Sequence, residues 1–426
     1  MKTLLKNARI LSMKDNEKIY LSSIVIIDDS IAYIGDDFIK FAPFDKTIDV
    51  NGNVIMPGFK NAHGHAPMSF ARALTDGEKL HDWLNNTIFP IEENLISEDS
   101  YLFSKISFLE YLTSGITSSS EMYYFPDQIA KAAIDMGFKV HLVLGGVKNF
   151  VDAEELITKL NKLDSNLVTF NLGLHAIYSY DKDFYLENVK VFHKYHSPLF
   201  IHASETKKEL DDSLKEYNMS PIKFFDSVGY FDFGGTIYHC NYLLDDDYEI
   251  IKRRKLHPVT CPGSNSKLAS GICPVRKILD NNIPLAIGTD GPASNDSLDM
   301  FYEMKLVLNY QKISYQDASI IKPFEVLKMA TVNGALAMGL NDCLYIEVGQ
   351  KADLIEIDLT DPSMQPINDI ETNIVLSGSK RIIKMTMVNG KILYRTNEFY
   401  LNESLPDIYN QVKKERDRLV SFIKNK

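Results

Sequence analysis

The chain has 426 residues, 45% apolar and 24% charged, and a formal charge of −11 at neutral pH. That length fits one α/β barrel plus a smaller accessory domain. The acidic balance disfavours nucleic acid, whose phosphates are gripped by clustered Lys and Arg; no apolar run nears the roughly 18 residues of a membrane span.

Residues 1 to 53 read as short strands, LLKNARIL, KIYLSSIVIID and SIAYIG, separated by Asp-Asn, Asp-Asp-Ser and Gly-Asp turn signals. The same texture returns near the end in ADLIEIDL and RIIKMTMVNGKILYR, with Asn389-Gly390 as a hairpin signal. The two ends therefore predict halves of one small β-sandwich domain, residues 1–55 plus 345–400, and residues 401–426 predict a peripheral helix with many charges. Between them, short β-rich runs alternate with helical segments such as Ser97 to Leu112, Asp127 to Met136 and Phe324 to Met338. This is the pattern of βα units. Eight strands are predicted: Val54 to Ala62, Gly115 to Met122, Lys139 to Gly145, Leu167 to His175, Pro198 to Glu205, Gly235 to Cys240, Pro258 to Asn265, and Ile283 to Asp290. Eight such units close a (β/α)8 TIM barrel over residues 56–344, with its active site at the carboxyl ends of the strands. Four cysteines without a CxxC pair predict buried thiols. The first twenty residues hold no signal-peptide core, so a cytoplasmic location is expected.

The polar residues at those strand ends carry the chemistry. In VIMPGFKNAHGHAPM, His63 and His65 are two apart on an extended segment and so share a face, within reach of one metal ion. Strand four ends in His175, strand five in His202 and Glu205, strand six in His239, strand eight in Asp290. Five of the ten histidines fall at these ends. Taken singly, the HxH pair reads equally as surface histidines, His175 as a core histidine, and Asp290 as a turn residue. Jointly they converge on one mouth. A hydrolytic metal site wants about three N and O ligands and an open position for water; His63, His65, His202 and Asp290 supply them. Glu205 stands three residues past His202 as a proton shuttle, and His239 could hydrogen-bond the developing oxyanion. One divalent ion is expected, zinc first, with iron or manganese compatible with three imidazoles and a carboxylate.

The segments PGFKNAHGHAPM, HASE, HCN, CPGSNSKLASGI and GTDGPASND resemble those of the amidohydrolase superfamily, in its branch of chlorohydrolases and 5'-methylthioadenosine/S-adenosylhomocysteine deaminases. The resemblance covers essentially the whole chain. It implies metal positions at His63, His65, His202 and Asp290, catalytic ones at Glu205 and His239, and substrate contacts at Glu92 and His175; in the mechanism expected, Asp290 joins the catalytic residues and Glu205 also contacts the substrate. It also implies hydrolytic loss of ammonia from an aminopurine ring. Binuclear relatives place a modified lysine on strand four, where this chain has His175, so a single metal is expected. Members acting on S-adenosylhomocysteine place arginines after strand three, but this chain has no arginine from Ala73 to Lys252. Lys148 there offers a point charge without a planar fork. Adenosine, 5'-deoxyadenosine or methylthioadenosine is therefore the expected substrate type.

Trp83, the single tryptophan, reads either as a cover for a purine or as packing, and so do Tyr123, Tyr124 and Phe125. Ser264, Asn265 and Lys267 read either as site residues or as groups that order the strand-seven loop. Two other functions share the same ligands: a deaminase or chlorohydrolase of another amino-heterocycle (guanine, pterin or triazine type), and an inactive barrel serving as an assembly subunit. The expected partner is a small molecule, without nucleic acid or membrane, and homo-oligomerisation is left open.

Overall fold

A computed structural model describes residues 1–145, 153–163 and 165–424. Two sheets organise them. The first has eight parallel strands in sequential order: Phe59–Gly64, Ile116–Glu121, Lys139–Leu144, Val168–Ala176, Leu199–Ala203, Gly235–His239, Leu256–Thr260 and Ala286–Ile287. These are numbered one to eight below. Closure comes from a bridge between Gly64 and Asp290, in which Asp290 N–H donates to the His63 carbonyl at 3.0 Å. Asp290, three residues beyond strand eight, is thereby stitched directly to the HxH segment.

The second sheet is mixed and nine-stranded, built from both chain ends. Lys2–Ile10 pairs antiparallel with Tyr20–Ile27 and parallel with Lys46–Asp49 and Val54–Pro57. The C-terminal strand Leu354–Ile357 then adds antiparallel to Val54–Pro57 and continues through Ile383–Val388 and Lys391–Arg395. Asn389 and Gly390, both at positive φ (45° and 72°), make the hairpin turn between the last two. This sheet encloses its own core, with Leu5, Ile24 and Ile26 from one end of the chain against Leu354, Met385 and Met387 from the other.

The structure corrects several strand and helix limits. Val54 to Ala62 is not one barrel strand: Val54–Pro57 lies in the mixed sheet, and strand one starts after Gly58, where a Cβ would strike the Thr117 side chain at 2.1 Å. Strand seven ends at Thr260, and Pro262–Lys267 is a short helix. The helix predicted over Phe324 to Met338 is two, Pro323–Ala330 and Val332–Ala337, broken at Thr331 (φ −128°, ψ −90°). Its second half closes the amino-terminal mouth of the barrel. Gly334 there packs on the Lys60 backbone so closely that a Cβ would lie 2.7 Å from the carbonyl oxygen, and Asn333 Nδ2 donates to the Leu285 carbonyl at 2.8 Å. The final helix, Leu405–Lys424, is held by Arg418, which pairs with Asp99 at 2.5 Å. All four cysteines are free and buried. Among the described residues, no helix is long and apolar enough to cross a membrane.

Candidate active site

Residues at or just beyond the ends of strands one, four, five, six and eight meet at one pocket, which His65, His175, His202, Glu205, His239 and Asp290 all line. His63 sits just beneath, fully buried, its ring stacked on Tyr238 with centroids 3.7 Å apart. Ligand atoms of His63, His65 and His202 lie within 4.8 Å of one another, and so do those of His63, His239 and Asp290. Asp290 Oδ1 is 3.2 Å from His65 Nε2 and 3.6 Å from His63 Nε2. Ligand atoms around a tetrahedral ion at about 2.1 Å lie about 3.4 Å apart, a value these two distances bracket.

Two further observations show that this donor set fits a cation. Both ring nitrogens of His63 are buried with no hydrogen-bond partner, and a cation would satisfy the one that faces Asp290, Nε2. The other histidines are aimed through their opposite nitrogens: His65 Nδ1 meets the Met122 carbonyl, and His202 Nδ1 the His175 carbonyl at 2.7 Å. Each bond requires Nδ1–H, so each ring, when neutral, offers Nε2 as a lone pair, as metal-binding imidazoles usually do; burial works against a proton on His65, but the contact with Asp290 outweighs it and raises its pKa. Burial and neighbouring rings hold His63 and His202 well below the usual histidine range, so both are neutral donors. Burial alone would raise Asp290, but the contact with His65 and the nearby rings hold it far below the ordinary carboxylate range.

Glu205 follows strand five by two residues, beyond Ser204 at φ 56°. Its Oε2 lies 3.7 Å from His239 Nε2, and its Oε1 accepts from Ser270 Oγ at 3.2 Å. Burial raises its proton affinity, with Asp290 adding to the effect, as suits a group that must take up and return a proton. His239 and Asp290 also stand at positive φ (72° and 60°). Such backbone costs of order 1 kcal/mol per residue and clusters at functional sites.

The outer pocket is apolar and aromatic. Trp83, 5% exposed, lines it beside Leu80, Leu84 and Phe89, with its indole N–H donating to Thr75 Oγ1 at 3.1 Å. Tyr123 and Tyr124 line it, and the Tyr123 hydroxyl donates to Glu92 Oε1 at 2.7 Å. His175 also faces it; burial lowers its pKa to about 4, and its Nδ1 meets Ser179 Oγ at 2.7 Å. Phe125 is 36% exposed at the start of a helix and is not part of the lining. Lys267 pairs with Asp296 at 2.6 Å, tying the strand-seven and strand-eight loops together outside the pocket lining. Lys148 lies outside the described residues.

Several residues around the site had no role in the sequence reading. Buried Glu209 accepts from the amides of Ser204 (3.0 Å) and Glu205 (2.7 Å), fixing the turn that presents Glu205. Buried Glu121 accepts from Ala66 N–H at 2.6 Å and Tyr111 hydroxyl at 3.1 Å, beneath the HxH loop. Glu303 does the same for Gly263 N–H (2.9 Å) and Asn295 Nδ2 (2.7 Å). Tyr178 lines the pocket against the ring of His175. Of these, only Glu209, four residues past Glu205 on the helix that follows, had a spacing that could have marked it.

A parallel barrel with a buried His/Asp cluster at its carboxyl end defines the class of metal-dependent barrel hydrolases. A profile of the amidohydrolase family matches residues 54–393, and the chain belongs to that family. It is 35% identical to a 5-methylthioadenosine/S-adenosylhomocysteine deaminase of Thermoanaerobacter pseudethanolicus, over 98% of this chain and 99% of the relative. It is also 35% identical to a 5'-deoxyadenosine deaminase of Methanobrevibacter smithii, over 98% of each. The crystal structure of an adenosine deaminase from Xanthomonas campestris with bound zinc superposes with a TM-score of 0.91 at 26% identity, covering 98% of both chains.

Proposed function

We propose that this protein is a zinc-dependent deaminase of aminopurine nucleosides, releasing ammonia from adenosine, 5'-deoxyadenosine or methylthioadenosine. The observation that carries the reading is the joining of two features in one pocket: a buried three-histidine, one-aspartate donor set beside Glu205 and His239, and an apolar wall containing Trp83. The related deaminases, one of them crystallised with zinc, support it.

His63, His65, His202 and Asp290 would hold the ion, which when bound supplies an activated water and charge stabilisation. Glu205 removes the proton of the attacking water and delivers it to the ring nitrogen beside the amine-bearing carbon. A C–O bond forms as that nitrogen is protonated. His239 and Asp290 hold the new hydroxyl, and its proton passes to the amine, so the C–N bond breaks with loss of ammonia. Trp83, Leu84 and Phe89 exclude water and offer a flat apolar surface to a purine. Glu92 and His175 face the same space as hydrogen-bonding groups for the sugar. No arginine or lysine stands among the described lining residues, which favours a neutral 5' substituent over an amino-acid tail.

A panel of nucleosides and amino-heterocycles followed by ammonia release tests this. Neutral adenosine-type nucleosides turning over ahead of S-adenosylhomocysteine, guanine, pterins and triazines is the expected result. S-adenosylhomocysteine far ahead of them would overturn the substrate assignment, and release from none of the panel would overturn the reaction.

A further inference from the structure

Two buried asparagines link Glu205 to His239. Asn241 Nδ2 donates to the backbone carbonyl of Glu205 at 2.9 Å. A carbonyl oxygen only accepts, so the amide group of Asn241 facing it must be the NH2. Its Oδ1 therefore points the other way and accepts from Asn265 Nδ2 at 3.0 Å. The remaining atom of that second amide, Asn265 Oδ1, lies 2.9 Å from His239 Nδ1. It too can only accept, so Nδ1 of His239 carries a hydrogen. Turning either amide over would set oxygen against oxygen or NH2 against NH2. All three side chains are buried (Asn241 7%, Asn265 2%, His239 1% exposed), so solvent offers no substitute partner. A neutral ring in this tautomer presents its Nε2 lone pair to the space between Glu205 Oε2 (3.7 Å) and Asp290 Oδ2 (3.9 Å).

The backbone on both sides gives this chain of bonds something to hold. Ser204, His239 and Cys240 are all at positive φ, so regular strand pairing ends at the two residues whose placement matters most. The strand-seven loop grips both: Asn265 holds the His239 ring, and Ser270 holds a Glu205 carboxylate oxygen.

We infer that Asn241 and Asn265 are positioning residues that set the Nδ1–H tautomer of His239 and tie its ring to the backbone of Glu205. The two proton-handling groups are thereby held as one unit. The inference rests on the reading of this site as hydrolytic, but its first readout does not depend on turnover.

The experiment is nitrogen NMR of the 15N-histidine-labelled full chain, with the His239 signals assigned from a His239→Asn sample, alongside kinetics and metal content of Asn265→Leu and Asn265→Asp. The parent should show His239 protonated at Nδ1. Asn265→Leu should show a mixture of tautomers and a kcat lower by about ten- to a hundredfold, with KM within twofold and metal content unchanged. Asn265→Asp keeps an acceptor opposite Nδ1 but sets an oxygen against Asn241 Oδ1, so it should restore the tautomer and recover only part of the kcat lost in the Leu variant. A parent protonated at Nε2, an Asn265→Leu protein with parental tautomer and kcat, or equal loss in the Leu and Asp variants would each overturn the inference. Parent protein showing the stated tautomer behaviour but deaminating nothing would instead count against the proposed reaction alone.

Discussion

The two ends of the barrel both bury charge, and they treat it in opposite ways. At the carboxyl end, both nitrogens of His63 lack a hydrogen-bond partner, and Asp290 and Glu205, each held by one hydrogen bond, from Gly291 N–H and Ser270 Oγ respectively, also face imidazoles at 3.2 to 3.9 Å. At the amino end, three residues earlier on the same strand, Lys60 is fully buried but satisfied, donating to Thr117 Oγ1 at 2.7 Å and facing Asp353 at 3.4 Å. Lys139 on strand three meets the same carboxylate at 2.5 Å, and Asn389 N–H donates to its other oxygen at 2.7 Å. One end is closed on itself and joins the barrel to the mixed sheet; the other is open to a ligand. Burial of ionisable groups therefore does not by itself mark a site. At the carboxyl end the unpartnered imidazole stands beside further histidines and a carboxylate, in two groups whose ligand atoms lie within 4.8 Å of one another.

If that contrast is right, changes at the two ends should separate activity from stability. The largest effect on turnover is expected for Glu205→Gln, a fall of about a thousandfold or more in kcat, since general acid–base groups contribute about 10² to 10⁴. Metal content and the urea midpoint should be unchanged; a variant retaining near-parental turnover would remove Glu205 from the mechanism. Chelation should abolish activity, and returning zinc should restore it while raising the melting temperature, because a ligand bound only by the folded state stabilises it. An unaltered melting temperature would break the reading of the His/Asp cluster as a metal centre.

At the closed end, Asp353→Asn leaves two buried lysines facing a neutral amide. It should cost about 3 to 5 kcal/mol in urea unfolding, with kcat and KM of the folded protein within about twofold. A variant of parental stability would mean that this cluster is not what fastens the sheet to the barrel. The same group makes a pH prediction. Lys139 and Lys60 outweigh the effect of burial and bring Asp353 down to about 2 from an unfolded value near 3.8. Its contribution is therefore present above about pH 4 and is lost as pH falls towards 2, about 2 kcal/mol in all. The stability gap between parent and Asp353→Asn should narrow over that interval. The smallest effect is expected for Ser270→Ala, which removes one bond to Glu205: about fivefold in kcat, the kinetic equivalent of about 1 kcal/mol.

How much of this was legible in the chain depended on the kind of interaction. The HxH pair was readable because a two-residue period places both rings on one face regardless of what surrounds them. His202, His239 and Asp290 were readable because barrel topology puts every strand end at one mouth. Glu121, Glu209 and Glu303 were not, because each acts through backbone amides of a loop, and which loop lies overhead is not encoded in local spacing. The break at Gly58 was only half legible. Pro57-Gly58 was its one local signal, and the first four residues of Val54 to Ala62 are claimed for the other sheet by strands distant in the chain, Lys2–Ile10 and Leu354–Ile357.

The order and type of the elements, the residues at the strand ends and the absence of an arginine near strand three all follow from the linear chain, because periodicity and side-chain chemistry are local properties. What tertiary structure alone decided was orientation. It determined that Asn241 and Asn265 line up between Glu205 and His239, which nitrogen of His239 is free, and that buried Lys60 finds a hydrogen-bond acceptor while the ring nitrogens of buried His63 find no hydrogen-bond partner. Each depends on atoms from distant segments meeting within about 3 Å, in a direction that donors and acceptors enforce only once the barrel has closed.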